Sequence, residues 1–224
     1  MIPIQGITLT VDADVVHVAS EQPLTVLSSA VLGGDLRAAR HIINMHVDKA
    51  YACAQPEDDM RTFAMRLGIV GPFVGLMTAA WTENGGVAAE AREEITVAAV
   101  VTAGLGNLTA AGLSEPPGAA LNDASPGTIN TILLIDAALT PAAMANAIIT
   151  ATEAKTLLLV ERDLRTAEGH LASGTSTDSV VVACTGRGEP IRYSGPATSV
   201  GWLIAHTVRA ALNESILKRE RTPH

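Results

Sequence analysis

Residues 129–155, INTILLIDAALTPAAMANAIITATEAK, place a strand pattern directly before a helix pattern, and this succession predicts the fold class. Residues 129–136 are largely apolar, which is typical of a strand. Thr140 and Pro141 then form a helix start, because threonine is a good N-cap and proline suits the first helical turn. The helix near residues 141–160 is apolar on nearly every side, which indicates a central, buried helix.

The same reasoning, applied outward, predicts alternating strands and helices along the chain. Apolar and polar residues alternate over 7–18, and the alternation is broken at Asp12-Ala13-Asp14, which predicts a hairpin. Further strands are predicted at 24–32, 73–80, 95–103 and 180–183, and helices at 36–43, 56–67, 105–111 and 197–217, with a loop over 114–126. The chain is therefore expected to be an α+β (mixed α/β) protein, a single domain over residues 1–224 with a mixed, largely buried sheet packed by helices.

Composition and charge exclude several function classes. The 224 residues are 48% hydrophobic and 17% charged, with a net charge of −8. A nucleic-acid binder or an anionic-membrane binder would need clustered lysine and arginine, so neither partner is expected. Cys53 and Cys184 are far apart and have no zinc-type spacing, so no metal ligand is predicted. The chain shows no signal-peptide pattern, and a cytoplasmic location is expected.

Two segments carry small polar groups at places where chemistry is common. GTSTDS, residues 174–179, stands directly before the strand at 180–183. Serine, threonine and aspartate favour turns, so the segment is explained either as a turn or as a loop that faces a substrate. Gly104-Leu105-Gly106-Asn107 follows a strand, and such a turn either joins two elements tightly or points backbone N–H groups at an anion.

Other polar residues lie in apolar surroundings near the predicted strand ends and on the central helix. Lys155 falls in the middle of an apolar stripe, where its stem could pack while its ammonium reaches water. His46, taken alone, is explained by packing as readily as by function. Together they are more polar groups than a core packed from small apolar residues should contain, which indicates a functional site. These residues are Asn44, His46, Asn107, Thr128, Asn130, Glu153, Lys155 and Asp178.

The chain resembles the adenosylcobinamide amidohydrolase family over about residues 20–212. The resemblance rests on GTINTI, TATEAK and GTSTDS, with PGTINTILLID, ALTPAAMANAIITATEAK and YSGPATSVGWLI around them, and on VLSSAVLGG, VGLMTAA and VVTAGLGN earlier in the chain. The segment LLLVERDLRTAEGHLA after TEAK departs from the expected linker. The resemblance implies a prokaryotic, cytosolic enzyme of cobalamin salvage that hydrolyses the amide between aminopropanol and the corrin ring of adenosylcobinamide, giving adenosylcobyric acid and 1-amino-2-propanol.

Two mechanisms fit the residues, because amide hydrolysis needs attack on the carbonyl, stabilisation of an oxyanion and protonation of the leaving amine. In the first, Asp178 or Glu153 activates water while Lys155, or the turn from Gly104 to Asn107, holds the oxyanion. In the second, Ser176 or Thr177 is the nucleophile and Lys155 is the base. Residues expected to bind substrate are Asn44, His46, Gly104, Asn107, Thr128, Asn130, Thr175 and Tyr193.

Other functions remain open at this point. The chain could bind a corrinoid without cleaving it, or it could be a metal-dependent amidase of another substrate, although clustered ligands for a metal are absent from the sequence. No cofactor of its own is expected, since the cobalt belongs to the substrate. The expected partner is a small-molecule corrinoid, and a homodimer is possible.

Overall fold

A computed structural model describes residues 2–115 and 127–221 of the chain. Within these residues lie three α-helices, ten strands and one short 3₁₀ turn at Thr82–Asn84. The helices are α1 (Pro56–Arg66), α2 (Pro141–Glu161) and α3 (Ser199–Arg221). The strands are β1 (Ile7–Val11), β2 (Val15–Ser28), β3 (Leu36–His46), β4 (Phe73–Thr78), β5 (Gly86–Arg92), β6 (Ile95–Ala103), β7 (Leu108–Thr109), β8 (Ile129–Ile135), β9 (Gly174–Thr175) and β10 (Ser179–Cys184).

Eight of the strands form one mixed sheet in the order β4-β3-β2-β10-β8-β6-β5, with β1 paired to β2. The pairs β3–β4 and β8–β10 are parallel, and the other neighbours are antiparallel. The short strands β7 and β9 make a separate two-stranded ribbon. The predicted mixed sheet is therefore confirmed, and so is the long central helix.

The long strand β2 bends the sheet over on itself. Its register with β3 shifts between Ala19 and Leu24, where Pro23 has no N–H to donate to a ladder. The first half of β2 pairs with β1 and β3, and the second half pairs with β3 and β10. As a result the two halves of the sheet face each other across one buried cluster, which includes Val16 and Leu76 from one half and Ile132 and Val181 from the other.

Helices cover both outer faces of this sandwich. Met60 and Ala64 of α1 pack on Ile43 and Met45 of β3. On the other side α2 and α3 pack on β6, β8 and β10 in the largest buried cluster. A side chain at Gly86 would collide with the carbonyl oxygen of Ala211, so glycine is needed for α3 to lie this close to β5. The layers are thus α/β/β/α.

The helix α2 is long and apolar enough to cross a membrane by length and composition alone. In the structure it packs against α3 and β10, and its buried side includes Met144, Ala147 and Leu159. Thr140 caps it by accepting a hydrogen bond from the N–H of Ala143 at 3.2 Å. The helix start predicted from Thr140 and Pro141 is confirmed.

Some element predictions were wrong. Residues 36–43 form the start of β3 instead of a helix, because pairing with β2 and β4 overrides their helix-like spacing. Most of 24–32 continues β2, and 105–111 contains the short strand β7 instead of a helix. The loop predicted over 114–126 lies mostly outside the described residues. The strand β5 was not predicted.

Candidate active site

A cleft with many polar side chains in its lining opens at the end of the sandwich where β8 and β10 begin and where β3, β4 and β6 end. Its volume is about 460 Å³, within the range of small-molecule sites. One wall comes from the segments that lead into β8 and β10 and from the turn after β6, and the other from the segments after β2, β3 and β4. The residues that line it are Ser29, Val31, Val47, Asp48, Lys49, Tyr51, Leu76, Met77, Thr78, Ala79, Asn107, Gly127, Thr128, Asn130, Ser176, Thr177, Asp178 and Ser179.

Asp178, at the entry to β10, is held by hydrogen bonds from three sides. Its Oδ2 pairs with the ammonium of Lys155 on α2 and accepts from the N–H of Thr175 at 3.2 Å. Its Oδ1 accepts from the hydroxyl of Thr175 and from the N–H of Ile129 at 3.0 Å. A carboxylate offers about four acceptor positions, so these donors fix its orientation. The side chains of Lys155 and Asp178 are only 12% and 16% exposed.

Gly174 leaves the space that the Lys155–Asp178 pair occupies. A Cβ at this position would overlap Oδ2 of Asp178 and would lie 2.6 Å from Nζ of Lys155. The need at Gly174 is for close approach, since the short strand β9 runs directly over the ion pair. This explains why the polar segment begins with glycine.

Hydroxyl groups continue the polar wall beside Asp178. The hydroxyl of Thr128 donates to the carbonyl of Thr177 at 2.8 Å and lies 2.5 Å from the hydroxyl of Thr177. The side-chain amide of Asn107 donates to the hydroxyl oxygen of Ser176 at 2.6 Å. Ser176 and Thr177 are exposed to solvent, whereas Thr128 is buried. Residues 174–179 therefore present two accessible hydroxyls, those of Ser176 and Thr177. Each is hydrogen-bonded to a residue distant in sequence.

A buried amide network forms the base of the cleft. Asn130 of β8 donates to Oδ1 of Asn44 of β3 at 2.9 Å and to the carbonyl of Met77 at 2.8 Å. Asn44 in turn donates to the hydroxyl of Thr102 of β6 at 2.9 Å. These bonds join the two halves of the sheet, so the network fixes the width of the cleft at its inner end.

The structure brings most of the predicted site residues together. Asn107, Thr128, Asn130, Ser176, Thr177 and Asp178 line the cleft. Lys155 and Thr175 hold Asp178 from behind, and Asn44 holds Asn130. Gly104 donates its N–H to the carbonyl of Thr128 at 2.9 Å, which supports the wall without lining it.

Three predicted residues are not brought to the cleft. Glu153 is exposed on α2, and because it lies two residues before Lys155 it faces another side of the helix. Tyr193 is 64% exposed and packs under the guanidinium of Arg192. Tyr193 comes two residues after Ile191, which forms a β-bridge with Leu139 beyond the end of β8 that is remote from the cleft. His46 bonds the carbonyl of Ala80 at 3.0 Å and stacks on a tryptophan ring, a packing role.

Sequence reasoning missed the wall that follows β2, β3 and β4. Ser29 lies 3.0 Å from the hydroxyl of Ser179, and Asp48, Lys49 and Tyr51 come from the segment after β3. The phenol of Tyr51 donates to Asp59 at 2.8 Å, and burial followed by this hydrogen bond raises the pKa of Tyr51. The rule that polar residues at strand ends form sites would have found this segment if β3 had been recognised as a strand.

The chemistry available in the cleft is that of oxygen acceptors and donors. In the described part of the chain no group of three or more histidine, cysteine, aspartate or glutamate side chains is placed to hold a metal ion. A positioned carboxylate can take a proton from water, and hydroxyl and amide groups can bind a carbonyl oxygen. The carboxylate, hydroxyl and amide groups of this cleft are therefore of the types that hydrolysis of a carbonyl compound requires.

Comparison with known proteins identifies the family. Residues 3–223 match the family described as CbiZ, adenosylcobinamide amidohydrolase. The adenosylcobinamide amidohydrolase of Methanosarcina mazei is 33% identical over 81% of this chain and 84% of its own length. The chain belongs to this amidohydrolase family.

Other relatives match over shorter segments. The adenosylcobinamide amidohydrolase of Halobacterium salinarum is 41% identical over 55% of this chain and 52% of its own length. An uncharacterised protein of Methanocaldococcus jannaschii is 41% identical over 42% of this chain and 38% of its own length. Among solved structures, a β-aminopeptidase from Burkholderia has a TM-score of 0.53 at 14% identity, covering 96% of this chain and 85% of that chain. That likeness shows the fold alone.

Proposed function

We propose that the protein hydrolyses the amide between aminopropanol and the corrin ring of adenosylcobinamide, releasing adenosylcobyric acid and 1-amino-2-propanol. Family membership supports a hydrolase role in cobinamide salvage. The observation that carries the reaction is the position of Asp178, a fixed carboxylate beside two accessible hydroxyls in one cleft. The expected setting is the cytoplasm, where the enzyme would act on a small-molecule corrinoid.

In the proposed mechanism Asp178 is the general base. It takes a proton from a water molecule whose oxygen attacks the amide carbonyl, and it releases its longest contact, to the N–H of Thr175, to make room. The C–N bond then breaks, and the same proton passes to the leaving nitrogen. The first products are a carboxylic acid on the corrin side and a free amine, and the acid becomes a carboxylate when its remaining proton passes to the amine or to solvent.

Lys155 is better suited to positioning Asp178 than to acting as a base. Its nitrogen donates to the Asp178 carboxylate, and Lys155 does not line the cleft. An ammonium that donates in an ion pair has no lone pair with which to deprotonate Ser176 or Thr177. This geometry favours the water mechanism over the nucleophile mechanism.

Ser176 is the proposed donor to the developing oxyanion. Its oxygen accepts from Asn107 at 2.6 Å, which leaves its own hydrogen free to point into the cleft. Asn130 and Thr128, with the apolar side chains of Val31 and Met77, would contact the amide-bearing rim of the corrin. Thr177 would support the same contact through Thr128.

The test is to incubate purified protein with adenosylcobinamide, with and without a chelator, and to follow products by mass spectrometry. We expect adenosylcobyric acid and aminopropanol in both arms. Loss of turnover only with chelator would replace this mechanism with a metal-dependent one. Corrinoid binding without any cleavage would contradict the hydrolase and favour the binding-protein alternative.

Asp178→Asn and Glu153→Gln form a matched pair for the same assay. Asp178→Asn is expected to lower turnover by about 100-fold or more, the usual size of a general-base effect. Glu153→Gln, an exposed change on α2, is expected to stay within about twofold, since surface changes away from a site have little effect. Equal effects of the two changes would remove Asp178 from the mechanism.

A further inference from the structure

We propose that Lys49 binds the carboxylate that hydrolysis creates, and so acts as a specificity residue of the cleft. The inference rests on the proposed reaction, which converts a neutral amide into an anion. Lys49 lies on the wall that sequence reasoning missed, together with Asp48, Tyr51 and the end of β4.

The lysines of the chain differ in what they bind. The sequence has three. Lys155 is paired with Asp178, and Lys218 bonds the carbonyl of Gly85 and pairs with Glu214. Among the described residues no ion pair or side-chain hydrogen bond involves Lys49, although it lines the cleft. It is also the one cleft-lining cation in that part of the chain.

The loop that carries Lys49 is bonded to β4 at its start and closes into a turn around Lys49. The N–H of Val47 bonds the carbonyl of Thr78 at 2.9 Å, and the N–H of Tyr51 bonds the carbonyl of Asp48 at 2.9 Å. The Asp48 carboxylate also accepts from the N–H of Ala50 at 2.7 Å. Lys49 therefore occupies the second position of a closed turn, and little backbone entropy is lost when its side chain engages a ligand.

The charges of the cleft make a cation useful at this point in the reaction. Asp178 and Asp48 both line the cleft, and the charge of Asp178 is already offset by Lys155. A new carboxylate would be repelled by the charge of Asp48, whereas the uncharged amide of the substrate would not. A free ammonium in the same cleft favours the anionic product, and the oxyanion before it, over the substrate.

The experiment compares two corrinoids on Lys49→Gln and Lys49→Arg. The measurements are the dissociation constant of adenosylcobyric acid by calorimetry and KM for adenosylcobinamide. Lys49 is exposed in the absence of a ligand. We expect Lys49→Gln to weaken binding of the acid by about 5- to 30-fold, between the effect of an exposed ion pair and that of a charge-assisted hydrogen bond. KM should change less than twofold, and Lys49→Arg should restore most of the affinity for the acid.

Controls separate this proposal from the reaction on which it rests. Arg66→Gln removes a positive charge from the exposed end of α1 and should leave acid binding unchanged. If the wild-type protein cleaves nothing, the proposed function fails, but Lys49 can still be tested by equilibrium binding of the acid and the intact amide. Equal weakening of both corrinoids, or no weakening of the acid, would overturn the role of Lys49.

Discussion

At the residue scale, the chemistry of the site depends on how the carboxylate of Asp178 is held. The carboxylate accepts four hydrogen bonds, one of them in an ion pair whose partners are both mostly buried. Removing one partner would leave the other charge buried and uncompensated, which is costly. Residues 174–179 therefore hold the carboxylate of Asp178 in one orientation and leave the hydroxyls of Ser176 and Thr177 accessible.

Gly174→Ala tests this support without changing any polar group. The added Cβ must displace the Lys155–Asp178 pair, because it overlaps Oδ2 of Asp178. We expect turnover of adenosylcobinamide to fall by about 10- to 100-fold, since a displacement on the order of 1 Å has effects of this size. Circular dichroism checks the fold, and Gly195→Ala is the control, since an added Cβ there meets open space and the backbone does not have a positive φ. Normal turnover in Gly174→Ala would contradict the need for this geometry.

At the scale of elements, strand β3 shows where local pattern is insufficient. Leu36, Ala39 and Ile43 have helical spacing, yet the segment pairs with β2 on one side and β4 on the other. Residues 36–43 form a strand because of pairing with segments distant in sequence, and the local spacing of side chains carries no information about such pairing. Missing β3 also hid the loop with Lys49, because that loop was then not seen to follow a strand.

The pairing of β2 with β3 predicts a pH effect on stability. His17 and His41 lie diagonally across the two strands with ring nitrogens 3.1 Å apart. Burial, and then the charge of His41, lowers the pKa of His17 from 6.5; burial, and then Arg40, lowers the pKa of His41. The unfolded chain thus takes up protons first as the pH falls below 6.5.

We therefore expect the free energy of unfolding in urea to fall between pH 7.5 and pH 5.5, and to fall less in His17→Gln. His206→Gln, on the exposed side of α3, is the matched control and should keep the wild-type slope. A slope that His17→Gln leaves unaltered would show that the pair does not cause the pH dependence.

At the scale of the whole molecule, the two halves of the sheet meet in the Asn44–Asn130 network. These asparagines come from strands that are not neighbours in the sheet, and they are 1% and 2% exposed. The bend in β2 is what brings them together. The same bend places the segment after β3 opposite Asp178, so the cleft exists only in the folded sandwich.

Truncation of this network should be costly and non-additive. Asn130→Ala leaves Oδ1 of Asn44 and the carbonyl of Met77 without their partner, and is expected to lower the free energy of unfolding by about 1–3 kcal/mol. The double variant with Asn44→Ala should lose less than the sum of the single losses. Asn146→Ala, on α2, should change stability by less than about 0.5 kcal/mol. Additive losses in urea titrations would contradict coupling.

The sequence by itself determined the elements whose signals are local. The Thr140–Pro141 start of α2, the apolar strands β6, β8 and β10, and the small polar residues before β10 all follow from neighbouring side chains. The polar residues near strand ends also sufficed to predict most of one cleft wall, from Asn107 to Asp178.

Only the tertiary structure decided which of those residues meet and what lies opposite them. The fold turned Glu153 and Tyr193 away from the cleft and brought Lys49 and Ser29 into it. The physical reason is that strand pairing and the bend at β2 depend on contacts between distant segments, whose energies no short stretch of sequence contains.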